Sequence, residues 1–142
     1  IQDGKVKAPR NVYLFSDPNS PNCNMFWEQA RPGVDSGKVQ LRHIMVGIIR
    51  PDSPGKSAAL LAAKDPAKAL KDHESAGKAS TLKALQIIPE AVQKQLAANQ
   101  GLMEEMGLGA TPAIFYRDEQ GQLQTQQGAP RPDMLGKILG KR

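Results

Sequence analysis

Apolar and polar positions along this chain alternate between two periods. Asn11 to Ser16 (Asn-Val-Tyr-Leu-Phe-Ser) is a short apolar, β-prone run that predicts a buried strand, closed by the turn cluster Asp17-Pro18-Asn19. Ser20-Pro21 then reads as a helix N-cap followed by proline at the first helical position. Beyond it Cys23, Phe26, Trp27 and Ala30 recur at i, i+3, i+4 and i+7, one face of a helix that Arg31-Pro32-Gly33 is expected to end or kink. Val39 to Ile49 is a second β-rich run, interrupted by Gly47 and closed by Pro51. These three elements predict a β-α-β unit with a right-handed crossover.

The middle third changes character. Ser57 to Ala63 is rich in alanine and leucine, Asp65-Pro66 restarts a helix through Ala67, Leu70 and Lys71, and Gly77 to Ser80 breaks it. Glu90 to Met106 is the longest helical stretch, with Val92, Leu96, Asn99, Met103 and Met106 on one stripe and Gly107 and Gly109 after it. Ala113 to Arg117 predicts a third strand, Asp118-Glu119-Gln120-Gly121 a hairpin-type turn, and Leu123 to Gly128 a fourth strand. Pro132 opens a last helix to Leu139, with Asp133 in its first turn, where negative charge suits the dipole. The order β-α-β, helical block, β-β-α describes one α/β domain with a helical insertion at about 52–106. It contains no repeats, low-complexity tracts or interdomain linker.

Length and composition agree with a single domain: 142 residues, 39% hydrophobic, 23% charged in both signs, net charge +5. No apolar run approaches the roughly 18 residues of a membrane span. Lysines 56, 64, 68, 71, 78, 83 and 94 are interleaved with Asp65, Asp72, Glu74 and Glu90, and Trp 1, Tyr 2 and Phe 3 are too few for a base-stacking platform. The basic balance is therefore read as a solvated face, with neither nucleic acid nor membrane as partner. One cysteine excludes an internal disulfide and any structural zinc site built on several cysteines. The opening Ile1-Gln2-Asp3-Gly4-Lys5 has no initiator Met and no basic-then-apolar leader, so a processed protein or a segment of a longer one is expected.

Chemistry concentrates at Ser20-Pro21-Asn22-Cys23, on a strand-to-helix junction. Free backbone N–H groups and the positive end of the dipole at such a helix start stabilise a thiolate. The bland reading is a serine cap with Cys23 as a small buried hydrophobe. Gly55-Lys56-Ser57 is no phosphate-binding loop, because the position where that motif needs its first glycine is Arg50. A Cys23–His43 nucleophile would need His43 to face the helix start, and His73, amid lysines and aspartates, is expected to be solvated. Thr111-Pro112 directly before a strand is a weak signal by itself, since a trans proline is tolerated there.

Element order and junction together are those of the thioredoxin fold, in which a Cys-x-x-Cys pair occupies this turn and a cis-proline loop faces it. The chain resembles the catalytic domain of the DsbC/DsbG family of periplasmic thiol:disulfide interchange proteins. The likeness is carried by Val12-Tyr13-Leu14-Phe15-Ser16-Asp17-Pro18, by Phe26-Trp27-Glu28-Gln29-Ala30-Arg31-Pro32 and by Val34-Asp35-Ser36-Gly37-Lys38-Val39-Gln40-Leu41-Arg42. It continues in Ala63-Lys64-Asp65-Pro66-Ala67-Lys68 and in Ala110-Thr111-Pro112-Ala113-Ile114. The resemblance implies a thioredoxin fold over 11–142 with an inserted helical subdomain, 1–10 being the remnant of a linker. It implies a periplasmic disulfide isomerase or reductase, with chaperone behaviour, that needs no cofactor. Its partners would be client proteins carrying cysteines or disulfides and a DsbD-type reductant. Family members are homodimers through an N-terminal dimerisation domain that this stretch lacks, so a monomer is expected.

By position, the resemblance puts Ser20 where the family has its nucleophilic cysteine and Cys23 where it has the resolving one. Thr111 and Pro112 match the cis-proline loop, and Pro21 and Asn22 complete the client-binding turn. Asn22 replaces the tyrosine associated with this turn, a change of the kind that retunes redox potential. Ser20 is the graver departure, because a hydroxyl forms no disulfide and barely ionises near neutral pH. Three readings follow: an oxidoreductase domain disabled by serine at position 20, a natural redox-dead module that holds peptides, and monothiol chemistry through Cys23.

Overall fold

In the computed structural model, which describes residues 1–140, a five-stranded sheet in the order β1-β3-β2-β4-β5 carries helices on both faces. The elements are β1 (Gln2–Asp3), β2 (Arg10–Ser16), α1 (Pro21–Asp35), β3 (Val39–Met45), α2 (Ser53–Leu61), α3 (Pro66–Ala76), α4 (Glu90–Glu105), β4 (Ala113–Arg117), β5 (Leu123–Gln127) and α5 (Leu135–Leu139). β2 and β3 pair in parallel, as a helical crossover demands, with Val12 opposite Leu41 and Ser16 opposite Met45. β4 runs antiparallel to β2, and β5 antiparallel to β4. This is the thioredoxin arrangement, a β-α-β unit and a β-β-α unit sharing one sheet, with α2, α3 and α4 between them in the chain.

The two-residue period of β2 divides the core. Val12 and Leu14 point to one face, where Leu41, Ile114 and Tyr116 join them beneath Phe26, Ala30 and Val34 of α1 and Ile138 of α5. Phe15 points the other way and packs with Phe115, Ala113 and Met103 of α4. The Phe15 and Phe115 rings meet edge to face, centroids 6.0 Å apart. A third cluster, Met45, Ala58, Leu60, Leu70 and Leu96, joins the sheet to the three inserted helices. Among the described residues no helix is long and apolar enough to cross a membrane.

Four expectations change. α1 does not end at Arg31-Pro32-Gly33 but runs through Pro32 to Asp35. Burial of Val34 holds that last turn to the core, and the Arg31 side chain donates to the Trp27 carbonyl at 2.9 Å beside the weakened ladder. The second β run stops at Met45, because the chain leaves the sheet to meet the start of α2. Met106, placed on the apolar stripe, is 46% exposed past the end of α4. Residues 1–10 are not only a linker: Gln2-Asp3, with no apolar signal of its own, forms an edge strand antiparallel to β3, and Arg10 opens β2.

That edge strand is fixed by charge. Asp3 lies against the Arg31 guanidinium, with Nη1 to Oδ1 at 3.1 Å, and His43 Nε2 is 3.4 Å from Asp3 Oδ2. His43 Nδ1 sits 2.9 Å from the Ser16 hydroxyl, so a neutral ring accepts from Ser16 and donates to Asp3. Although burial raises the Asp3 pKa, bonding to His43 and Arg31 outweighs it and holds the carboxyl down at about 2. His43 is pushed down by burial. This buried Ser-His-Asp string ties three strands together, and His43 is therefore no partner for Cys23.

Gly47 is where the sheet hands over to the insertion. A Cβ there would lie 2.5 Å from the Pro54 nitrogen and 2.6 Å from its Cα, both backbone atoms that cannot step aside. Gly47→Ala should therefore destabilise the fold by about 1–3 kcal/mol, read as a lower urea midpoint. An unchanged midpoint would show that the β3–α2 connection is not tightly packed.

Candidate active site

The site is built at the carboxyl end of β2, where the chain turns into α1. Ser20, in extended backbone, caps the helix: its Oγ accepts from the Cys23 N–H at 3.0 Å, and Pro21 occupies the first turn where its missing N–H is not needed. The bland reading of this serine thus holds as geometry. The same hydroxyl also points at the Thr111 carbonyl, a long contact of 3.4 Å, across 91 positions of sequence. The Thr111–Pro112 peptide bond is cis, and both residues are buried at the start of β4. Ser20, Cys23, Thr111 and Pro112 are brought together, while Pro21 and Asn22 stand exposed on the outer side of the turn.

Cys23 is 4% exposed. Burial pushes its thiol up to about 11, against smaller opposite pulls from the Ser20 hydroxyl, the Asp17 backbone and the Thr111 side chain. Helix-start stabilisation is outweighed by desolvation, so the thiol is protonated at neutral pH and a poor nucleophile. Monothiol chemistry through Cys23 has no support in this environment.

Asp17 organises the turn, a role the sequence showed only as turn chemistry. Its Oδ1 accepts from Asn19 N at 2.9 Å, and its Oδ2 accepts from Ile48 N and Ile49 N at 2.7 and 2.9 Å. One carboxylate thus joins the β2–α1 turn to the β3–α2 turn. The Asn19 amide donates to Ser53 Oγ at 2.8 Å and Asp52 Oδ1 at 2.9 Å, and its carbonyl oxygen accepts from Lys56 Nζ at 3.1 Å.

The insertion contributes two further groups. His73, expected in solvent, is half-buried: Nε2 donates to the Pro18 carbonyl at 2.7 Å and Nδ1 is hydrogen-bonded to the Ser80 hydroxyl. Glu74 is buried on α3 facing α1, where Asn24 donates to its carbonyl at 2.7 Å and to its carboxylate at 3.3 Å. Burial pushes the Glu74 carboxyl up to about 7, opposed by the Asn24 bond and Arg31 and reinforced by Glu28 and Asp3. A polar residue at i+4 from Leu70, inside a charged helix, carried no sign of this burial. Among the described residues no His/Cys/Asp/Glu group is arranged to hold a metal ion.

A sheet of this order, a capped helix start at its carboxyl end and a facing Thr-Pro loop define a thioredoxin-like domain. The chain belongs to that family, whose thioredoxin-like domain model matches residues 3–142. Over all 142 residues it is 72% identical to the thiol:disulfide interchange protein DsbG of Pseudomonas aeruginosa and 45% identical to that of Escherichia coli. It spans 56% and 57% of those relatives, little more than half their length. Among solved structures, Proteus mirabilis ScsC in a transitional conformation matches with TM-score 0.77 at 22% identity, covering 97% of this chain and 69% of that one. A disulfide interchange protein from Neisseria gonorrhoeae matches with TM-score 0.69 at 25% identity, covering 98% and 91%. The ScsC likeness speaks for the fold alone.

Two outcomes check this electrostatic picture. In the native chain Cys23 should react with iodoacetamide at pH 8 at least about 100-fold more slowly than in the urea-unfolded chain, since a thiol near pKa 11 is almost wholly protonated. Comparable rates would refute the burial argument. Glu74, with its folded pKa above the unfolded value of 4.5, contributes stability at low pH that is lost as pH rises towards about 7. Glu74→Gln should therefore gain on the parent in urea midpoint between pH 4.5 and 7. A difference independent of pH would show that the carboxyl titrates normally.

Proposed function

We propose that this domain is the thiol-disulfide exchange module of a DsbG-type periplasmic protein, held in a redox-inactive form by serine at position 20. In this reading position 20 is the attacking position, Cys23 the resolving one, and Thr111-Pro112 with Pro21 and Asn22 the surface on which a client chain lies. One observation carries it: the residue at the helix start is set against the Thr111 carbonyl beside Pro112, with a single buried thiol three positions on. A hydroxyl cap alone does not require such a facing loop.

The chemistry needs sulfur at both positions. With cysteine at 20, its thiolate would attack a client disulfide, forming one S–S bond to the client as the other client sulfur leaves as a thiolate and takes a proton from water. Cys23, on losing its proton, would attack the residue-20 sulfur and expel the second client thiolate. The client gains two electrons and the domain is left with a 20–23 disulfide, which a DsbD-type dithiol reductant must reopen. Serine stops this sequence at its first bond. The buried, high-pKa state of Cys23 suits a group that acts only after a mixed disulfide has formed beside it.

A second reading, peptide holding without thiol chemistry, is favoured by Met25, half-exposed beside the same turn. It shares the client surface and predicts suppression of aggregation independent of any thiol. Within a longer chain the domain would work as part of a homodimer, while residues 1–10, which supply β1 and the first residue of β2, belong to the fold itself.

Ser20→Cys discriminates the two. The variant should form a reversible 20–23 disulfide, seen as the loss of two titratable thiols on oxidation, and should catalyse insulin reduction by dithiothreitol where the parent does not. A variant with neither property would exclude the exchange reading and leave peptide holding.

A further inference from the structure

We propose that the cleft beside Ser20 selects client segments bearing carboxylate side chains close to their cysteine, receiving them on Arg50, Lys56 and Lys78. This rests on the reading of the turn as a client-binding surface, and names the chemistry of the client.

The cleft has a volume of about 530 Å³, within the roughly 300–1,000 Å³ typical of ligand sites. The β2–α1 turn, the start of α1 and the inserted segment line it together, and it adjoins the Thr111-Pro112 surface through Ser20 and Pro21, within reach of the residues that flank a client cysteine. Its three cations come from three separate places: Arg50 from the β3–α2 connection, Lys56 from α2, and Lys78 from the turn after α3. Arg50 and Lys78 are exposed, and neither side chain has a hydrogen-bond or ion-pair partner among the described residues. Lys56 is held in place, its Nζ 3.1 Å from Asn19 Oδ1, one residue before Ser20.

The opposing charges are weaker. Asp52 Oδ2 lies 3.5 Å from Lys56 Nζ and offsets part of that charge, but it is not part of the cleft wall. Glu74, the carboxylic acid in the lining, is buried, and its pKa near 7 leaves it about half protonated at neutral pH. His73 is engaged by Pro18 and Ser80. The walls therefore present a net positive surface to whatever enters, and Asn24 and Ser80 add polar contacts without charge. An extended peptide with aspartate or glutamate next to its cysteine complements that surface, while a lysine-flanked cysteine is repelled.

The test uses the unaltered chain, whose position 20 carries no thiol to exchange, and two blocked seven-residue peptides. Each has a central serine in place of cysteine, flanked on both sides by aspartate in one and by lysine in the other. By NMR titration at about 20 mM salt, where screening lengths are roughly 20 Å, the aspartate peptide should bind at least about fivefold more tightly. Its shifts should centre on the amides of Ser20, Lys56 and Lys78, and the preference should fade at about 0.5 M salt. Arg50→Gln combined with Lys78→Gln should abolish the preference, and Lys56→Gln alone should weaken it. Equal affinity for the two peptides, or shifts from the aspartate peptide spread over the whole basic surface, would overturn the proposal. Selective binding here together with an inert Ser20→Cys variant would leave the cleft assignment standing and remove the exchange chemistry alone.

Discussion

The start of α1 is the constraint on which the rest of this structure depends. Ser20 must cap the helix with its hydroxyl while the same end of the helix closes against Thr111 and Pro112. The parallel β2–β3 pair sets where α1 begins, and the antiparallel β2–β4 pair sets where the Thr111-Pro112 loop arrives. The sheet therefore brings together two segments that lie far apart in the chain. Cys23 falls in the first turn of the helix, on the same face as the buried Phe26 and Ala30, so its burial follows from the position of the cap.

The inserted helices complete the site. Asp17 and Asn19 bind the β3–α2 connection and the start of α2, while His73 and Glu74 bind α3 to the loop before α1 and to α1 itself. Each tie joins a polar side chain of one segment to a backbone or side-chain group of another, most of them partly shielded from solvent. The result is a cleft at the turn lined by exposed Arg50 and Lys78, by Lys56 held on Asn19 and by the buried Glu74. A bare β-α-β, β-β-α frame would have only the turn.

The sheet and α1 were legible because their signals are local. β2 and β4 are β-prone apolar runs, α1 has its cap, its N1 proline and the Cys23-Phe26-Trp27-Ala30 stripe, and Gly121 sits in the β4–β5 turn at φ 76°. What escaped depends on distant partners. Gln2-Asp3 becomes a strand only because β3 offers an edge and Arg31 and His43 offer partners to the Asp3 carboxylate. Pro32 stays helical because Val34 is buried beyond it, a tertiary gain that overrides a local penalty. In the site, the spacing of Ser20 and Cys23 was readable, whereas the facing role of Thr111-Pro112 came from family resemblance. Glu74 and His73 lay among charged neighbours that signal solvent, and only packing against α1 and the Pro18 carbonyl reveals them.

The central claim is a meeting of residues about ninety positions apart, and proton–proton proximity tests it most directly. In the unaltered chain, nuclear Overhauser contacts are predicted between the Ser20 methylene protons and protons of Thr111 and Pro112, at intensities expected of atoms within about 5 Å. Absence of those cross-peaks, with the Val12–Leu41 and Leu14–Ile114 contacts of the sheet present, would contradict the account.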